Sequence, residues 1–163
     1  HFKGCKGLTS LFLSDTQVGD EGLAHLKDCK SLVSLEMAGT RVTDAGLAHL
    51  KDCKGLTSLY LQGTRVGDAG LAHFKGSKNM ATLYLAGTQV GDEGLAHFKD
   101  SKNMQALFLW NTKVTDAGMA HVKGFVDLTH LDLQETRVTA AKIAELKKAL
   151  PKCKILWEAP KEK

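Results

Sequence analysis

A chain of 163 residues with 43% hydrophobic and 25% charged side chains has the composition of one folded domain and not of a disordered segment. Its 22 Lys and Arg against 18 Asp and Glu give a formal net charge of +4, which falls short of the concentrated positive surface of a dedicated nucleic-acid binder. No apolar run approaches the roughly 20 residues of a membrane span, and four cysteines without a CxxC pair fit neither a zinc framework nor a disulfide scaffold, which favours a reducing, cytoplasmic setting.

The first predicted element is a strand at 8–13, and its L-x-x-L-x-L pattern returns every 24 residues along the chain. Successive side chains of a strand point to opposite faces, so the leucines of this pattern predict one buried face. Self-similarity at a fixed period predicts a solenoid, in which each repeat stacks on the next. The central triplet of the pattern is found at 11–13, 35–37, 59–61, 83–85, 107–109 and 131–133.

A turn and a short helix are predicted after each strand. A threonine recurs at the turn, where its hydroxyl is expected to bond a buried amide or carbonyl of the loop. An aspartate follows it and is predicted to cap the helix by accepting its first unpaired amides. The threonines are Thr16, Thr40, Thr64, Thr88, Thr112 and Thr136, and the aspartates are Asp20, Asp44, Asp68, Asp92 and Asp116.

The two ends of the chain depart from the pattern in different ways. At the carboxyl end, Ala140 and Lys142 replace the Asp and Gly of earlier units, and a charged helix, a proline and a last apolar strand follow. We expect 140–163 to be a cap that shields the end of the core, as terminal repeats must. At the amino end, 1–7 match the end of a repeat and are interpreted as the remnant of a preceding one, with 8–139 as the 24-residue repeats of a single domain.

Aligned at this period, the units read L-x-x-L-x-L-x-x-T-x-V-x-D-x-G-L-A-H-L-K. The pattern resembles the leucine-rich repeat over nearly the whole chain, with Thr where the motif usually has Asn or Cys. The D-x-G-L segment and the late cysteine resemble the cysteine-containing, ribonuclease-inhibitor-like subclass and, more closely, the Thr-bearing repeats of some bacterial proteins. The resemblance implies a right-handed α/β horseshoe with a parallel sheet on its concave face, short helices on its convex face, and recognition of a protein or peptide.

Histidines recur at one position of the predicted helix, which raises the question of a metal site. Successive helices pack roughly 8–10 Å apart, whereas a shared zinc ion needs several ring nitrogens at about 2 Å. We therefore expect no metal and interpret these residues as half-buried side chains that bond a neighbouring loop. They are His1, His25, His49, His73, His97 and His121.

Two further columns are interpreted as structural. Cys5, Cys29 and Cys53 give way to Ser77, Ser101 and Phe125 at the same position, which indicates a packing slot occupied by free thiols. Lysines form two rows on the helical side, but no aromatic residue is interleaved for base stacking, so we expect a solvated outer face. The rows are Lys3, Lys27, Lys51, Lys75, Lys99, Lys123 and Lys147, and Lys6, Lys30, Lys54, Lys78 and Lys102.

The outward positions of the strands carry residues that the repeat does not explain. The middle row runs Phe12, Glu36, Tyr60, Tyr84, Phe108 and Asp132, and the row beside it runs Ser14, Ala38, Gln62, Ala86, Trp110 and Gln134. Adjacent strands lie about 4.8 Å apart, so Tyr60, Tyr84 and Phe108 are predicted to touch, with Trp110 at their edge. Nothing in folding requires rings at these positions, although cross-strand aromatic pairs add roughly 0.2–1 kcal/mol to a sheet.

These rows define the predicted partner-binding surface. An apolar surface with polar flanks is typical of an interface, in which Tyr and Trp dominate the binding energy. The predicted residues are Phe12, Glu36, Tyr60, Gln62, Tyr84, Phe108, Trp110 and Asp132. A rim that follows the threonine column is a candidate for pairing with an acidic partner and consists of Gln17, Arg41, Arg65, Gln89, Lys113 and Arg137.

The sequence favours a binding scaffold and not an enzyme. No nucleophile is matched with a base and an orienting acid, and no phosphate-binding Gly loop or other cofactor motif is found. Three alternatives stay open. The chain could be a structural module that self-associates end to end through its uncapped first strand, a glycan-binding module whose rings stack on sugars, or the binding fragment of a larger signalling protein or enzyme.

Overall fold

The computed structural model describes residues 5–159, so the predicted remnant residues His1, Phe2 and Lys3 lie outside it. The described chain contains one seven-stranded parallel sheet whose spatial order is the order of the strands in the sequence. Each strand pairs with the next in the register of the repeat, as in Leu11 with Leu35. The strands are β1 (Ser10–Phe12), β2 (Ser34–Glu36), β3 (Ser58–Tyr60), β4 (Thr82–Tyr84), β5 (Ala106–Phe108), β6 (His130–Asp132) and β7 (Lys154–Leu156).

A helix follows each of the first six strands, which confirms the predicted α/β solenoid. In the first three repeats, a single α-helical turn passes directly into a three-residue 3-10 helix (Ala24–Leu26, Ala48–Leu50 and Ala72–Phe74). None of the helices within 5–159 combines the length and the apolar character needed to cross a membrane. The α-helices are α1 (Asp20–Leu23), α2 (Asp44–Leu47), α3 (Asp68–Leu71), α4 (Asp92–Ala96), α5 (Met119–Val122) and α6 (Ala140–Ala149).

The core lies between the sheet and the helices and runs through successive repeats without interruption. Leu35 of β2 and the helical pair Leu47 and Leu50 are fully buried, and the large rings of Phe74 and Phe98 fill the same layer in later repeats. Each such side chain contributes roughly 1.5–3 kcal/mol when it leaves water. The stacking of one repeat on the next is therefore the main stabilising interaction of the fold.

The threonine column behaves as the sequence predicts. The Thr64 hydroxyl donates to the carbonyl oxygen of Leu61 at 2.7 Å, and the Thr64 N–H donates to the same oxygen at 3.1 Å. One residue therefore closes the turn with both its side chain and its backbone. The hydroxyl bond to the residue three positions earlier is present for Thr16, Thr40, Thr64, Thr88, Thr112 and Thr136.

The prediction that each aspartate caps its own helix is wrong. Asp44 is the first residue of α2, and its Oδ1 accepts a hydrogen bond of 2.7 Å from the Gly67 N–H in the following repeat. Asp20 accepts from both the N–H and the hydroxyl of Thr43, at 2.8 and 2.6 Å. The carboxylate reaches the neighbouring turn because that turn presents an unpaired amide directly to it. The same bridge between repeats is made by Asp20, Asp44, Asp68, Asp92 and Asp116.

This carboxylate bridge explains the glycine two residues after most of the aspartates. A Cβ on Gly70 would lie 2.5 Å from Oδ1 of Asp44 and 3.1 Å from both its Cα and the Cδ1 of Leu47. Gly94 is blocked in the same way, since its Cβ would lie 2.5 Å from Oδ1 of Asp68. The aspartates of the first four repeats therefore leave no room for a side chain at this position of the next repeat, whereas the bridge from Asp116 is followed by Lys142 in the cap helix.

The helix α6 and the strand β7 lie next to β6 at the carboxyl end of the described chain. Ile143 and Leu146 of α6 are buried in the core. The Trp157 Nε1–H donates to the carbonyl oxygen of Val138 at 3.0 Å and holds the segment after β7 against the last turn. The division of the chain into 1–7, 8–139 and 140–163 remains a prediction.

We expect Gly70→Ala to lower the free energy of unfolding by about 1–3 kcal/mol, because the added methyl must displace the Asp44 carboxylate and the backbone behind it. Gly22→Ala is the matched control. It adds the same methyl at the same repeat position, where the nearest described atom is Cγ1 of Val18 at 3.0 Å and no aspartate bridge is present. Urea unfolding of both variants measures the difference, and equal midpoints would contradict the steric role of the bridge.

Candidate binding surface

The concave face is built from strand positions that alternate with the buried leucines. Because strand side chains point alternately to the two faces of a sheet, Tyr60 lies on the opposite face from Leu59 and Leu61, which are fully buried. The parallel register places Tyr60 beside Tyr84 and Tyr84 beside Phe108. Equivalent residues of all seven strands therefore form one continuous middle row across the sheet.

Three rings of the middle row stack on one another. The ring centroids of Tyr60 and Tyr84 are 4.7 Å apart with planes inclined by 20°, and those of Tyr84 and Phe108 are 4.0 Å apart with planes inclined by 14°. The predicted contact between these rings is confirmed. The stacked rings cover each other's faces and are only partly exposed, whereas Trp110, on the same face two residues after Phe108, is 41% exposed. We call these four residues the aromatic ridge.

Carboxylates stand at both ends of the aromatic ridge. Glu36 of β2 pairs in register with Tyr60, and Asp132 of β6 pairs with Phe108. Oδ1 of Asp132 accepts a hydrogen bond of 3.0 Å from the Gln134 N–H. Within the described chain, neither carboxylate forms an ion pair, so both negative charges remain open to a partner.

The aromatic ridge is partly shielded from water even without a partner. Burial, with additional contributions from Tyr84 and the charge of Glu36, raises the pKa of the Tyr60 phenol above its usual value. Beside the ridge, the side-chain oxygen of Gln62 is buried and has no hydrogen-bond partner among the described residues. An unpaired buried acceptor costs free energy, so this surface contains one polar group that its own fold leaves unsatisfied.

The structure separates one predicted residue from the aromatic ridge and adds another to the middle row. Phe12 of β1 is 67% exposed, but Glu36 lies between it and Tyr60 in the register. Leu156 of β7 continues the middle row beyond Asp132 and is 40% exposed. The sequence pattern predicts β7 only as part of the cap. The 24-residue step from Asp132 to Leu156 was the signal that could have placed it in this row.

Comparisons with known proteins agree with this architecture. A family model described as Leucine Rich repeat matches 4–26 and 76–98. An internalin (inlF) of Listeria monocytogenes has a crystal structure that superposes on 95% of this chain with a TM-score of 0.76 and 21% sequence identity. The chain therefore has the leucine-rich-repeat fold. It spans 48% of the length of that internalin.

Two further leucine-rich-repeat structures share the fold at a lower level of similarity. The match to internalin C2 of the same bacterium includes 94% of this chain and 82% of the internalin, with a TM-score of 0.59 and 15% identity. The match to the ectodomain of the Arabidopsis thaliana receptor kinase GASSHO1/SCHENGEN3 includes 83% of this chain and 17% of the ectodomain, with a TM-score of 0.59 and 19% identity. No curated protein matches the chain, and the predicted subclass remains a prediction.

The rim of the solenoid, which follows the threonine column, is polar. All six residues that the sequence places there are exposed. Gln89, Lys113 and Arg137 line a depression of about 460 Å³ together with Asn111 and Glu135. Lys113 and Arg137 form no ion pair with another residue in 5–159. Their pairing with an acidic partner stays a prediction.

The histidine column lies on the helical side of the repeats. His49, His73, His97 and His121 are half-buried as predicted, whereas His25 is exposed. Among the described residues, no hydrogen bond joins the four half-buried rings to a neighbouring loop, so the predicted bond is wrong for these four. Across the described ranges, no group of three His, Cys, Asp or Glu side chains is arranged to hold a metal ion.

The cysteine column is the packing slot that the sequence predicts. Cys29 and Cys53 are buried free thiols, and the Cys53 thiol donates to the Cys29 carbonyl oxygen at 3.5 Å. The Ser101 hydroxyl makes the equivalent bond to Ser77 at 2.8 Å. Burial raises the pKa of the Cys53 thiol to about 11, with Cys29 and the charge of Asp52 acting in the same direction.

We expect Cys53 to react with a thiol reagent at least about tenfold more slowly than the exposed Cys5 in the folded protein at about pH 8, because the thiolate is the reactive species. Labelling with Ellman's reagent, followed by peptide mapping, measures each site. In denaturant, the four cysteines should react at similar rates. Equal reactivity of Cys5 and Cys53 before unfolding would contradict the buried slot.

Proposed function

We propose that this leucine-rich-repeat protein binds an extended segment of another protein across its concave face, with the aromatic ridge as the main contact. The observation that carries the proposal is the set of stacked and exposed rings on the side of the sheet that faces away from the core. Contiguous apolar surface with polar flanks usually marks an interface. Tyr and Trp are the residues that most often dominate the energy of such contacts.

The stability of the sheet does not by itself account for the rings. At the other end of the middle row, β1 and β2 pair in the same register with Phe12 beside Glu36 and no ring stack. Cross-strand aromatic pairs add only roughly 0.2–1 kcal/mol, whereas the buried leucine columns supply far more. A surface of this composition is better explained by the contact that it offers to a partner.

The comparisons support a scaffold role. Leucine-rich-repeat folds commonly bind proteins, and the Arabidopsis receptor ectodomain was crystallised in complex with CASPARIAN STRIP INTEGRITY FACTOR 2. We propose a binding role without catalysis, because the recurring Thr, Asp and Cys side chains are already engaged in contacts that hold the repeats together. Glu36, Gln62 and Asp132 would then supply the polar contacts around the rings.

We expect the concave face to select peptides from a random display library, and these peptides to lose at least about tenfold in affinity on Tyr60→Ala/Tyr84→Ala/Trp110→Ala. A matched variant, Lys51→Ala/Lys75→Ala/Lys99→Ala, removes three exposed side chains from the convex face and should bind as the parent does. Fluorescence anisotropy of labelled peptides gives the dissociation constants, and circular dichroism checks that both variants fold.

Peptides that bind both triple variants and the parent equally would exclude the concave face as the site. Sedimentation of the same samples tests the rival role as an end-to-end assembly module. The assembly role would be favoured if the library yields no peptide and if the protein forms concentration-dependent oligomers that persist in the Tyr60→Ala/Tyr84→Ala/Trp110→Ala variant. A glycan array probed with the parent and with the ridge variant separates sugar binding from peptide binding.

A further inference from the structure

The charges on the concave face differ from those of the chain as a whole. A third outward row lies at the first position of each strand and consists of Ser10, Ser34, Ser58, Thr82, Ala106 and His130. Over β1 to β6, the three outward rows include Glu36 and Asp132 but no Lys or Arg, although the chain has 22 of these basic residues. The nearest lysine in these rows is Lys154 of β7, which forms no ion pair with Asp132 within the described chain. A partner that crosses β1 to β6 therefore meets two carboxylates and no Lys or Arg in these rows. Apart from the imidazole of His130, the other outward side chains are apolar or neutral.

Each of the two carboxylates lies between apolar side chains of the adjacent strands. Asp132 is paired with Phe108 on one side and with the half-exposed Leu156 on the other. The two flanking strands are two strand spacings, or about 9.6 Å, apart. That width accommodates one planar group between the walls, above the short aspartate side chain. We call this the β6 slot.

The same arrangement occurs at the other end of the aromatic ridge. Glu36 is paired with Phe12 on one side and with Tyr60 on the other. The stacked rings cover one face of Tyr60 and one face of Phe108 but leave the outer faces directed toward the two carboxylates. We call the site at Glu36 the β2 slot.

We propose that these two slots bind basic side chains, so that the partner is an extended segment with two arginines or lysines about six residues apart. This inference rests on the proposed binding function and specifies the chemistry of the ligand. A guanidinium group stacks on an aromatic face and pairs with a carboxylate at the same time, and each contact is stronger where water is partly excluded. Arginine suits the slots better than lysine because its group is planar.

The spacing of the two basic residues follows from the sheet. Glu36 and Asp132 are separated by four strand spacings, or about 19 Å. An extended chain that runs across the strands advances about 3.3 Å per residue, so six residues cover about 20 Å. Two apolar side chains between the arginines, at alternate positions, would face the aromatic ridge.

The test uses the end-blocked peptide Ser-Arg-Ser-Leu-Thr-Leu-Ser-Arg-Ser and three matched versions of it. One version has citrulline, the neutral isostere, in place of both arginines. A second has Glu at these positions, and a third keeps the composition but moves the arginines to within two residues of each other. We expect the parent peptide to bind at least about tenfold more tightly than each of the others, with affinity that falls as salt is added.

The protein variant is Glu36→Gln/Asp132→Asn, in which Asn retains an oxygen to accept the Gln134 N–H. It should bind the arginine and citrulline peptides equally, whereas Tyr84→Ala should weaken both. Asp52→Asn/Asp100→Asn is the control, because it removes the same charge from exposed convex positions and should bind as the unmodified protein does. Isothermal titration calorimetry measures all the pairs.

The outcomes separate the two proposals. If the arginine, citrulline and glutamate peptides bind equally and all are weakened by Tyr84→Ala, the basic slots are overturned and the binding function stands. If the arginine peptide binds but ignores both Tyr84→Ala and the slot variant, both proposals fail for this face. If none of the four peptides binds, the basic slots are overturned, and the binding function is then decided by the library selection.

Discussion

Each aspartate at the start of a repeat's helical region binds the backbone of the following repeat and constrains, on the helical side, how the repeats stack. The carboxylate of Asp44 accepts from Gly67 and occupies the space that a side chain at Gly70 would need. Burial of leucine supplies most of the stabilising free energy, but the hydrophobic effect has no preferred direction. A charge-assisted hydrogen bond, in contrast, has a preferred direction. Together with the hydrogen bonds of the parallel sheet, the bridge therefore selects a single register from the many ways in which apolar layers could pack.

Because the register between repeats is fixed, residues that are 24 positions apart in the sequence lie side by side and form a continuous surface. The inward positions are occupied almost uniformly by leucine, whereas the outward positions differ from one strand to the next. Tyr60 and Tyr84 are far apart in the chain and 4.7 Å apart as rings. The buried leucines hold these side chains in place from the core side, so the outward residues can vary without loss of the fold. Under the proposed function, this variable face is where a specific ligand would be recognised.

Most of the fold could be predicted because its determinants are local or periodic. The strands, the threonine turns and the ring contacts all follow from counting positions within one repeat. The role of Asp44 could not, because its partner lies in the next repeat and the same spacing also suits a helix cap. Leu156 was missed because the cap interrupts the pattern before the middle row resumes. The slots around Glu36 and Asp132 depend on unlike residues of three strands and become visible only when those strands are aligned.

Each repeat contributes one strand to the sheet, and the strands follow one another in sequence order. The length of the concave face is therefore proportional to the number of repeats. Duplication of a whole unit between β2 and β6 would move Glu36 and Asp132 apart by about 4.8 Å and leave the neighbours of each carboxylate unchanged. Under the proposed function, point substitution on the outward rows would change the chemistry of the ligand that is bound, and duplication of a unit would change its length. A protein built in this way could bind a longer segment after such a duplication, with no change to the residues around Glu36 or Asp132.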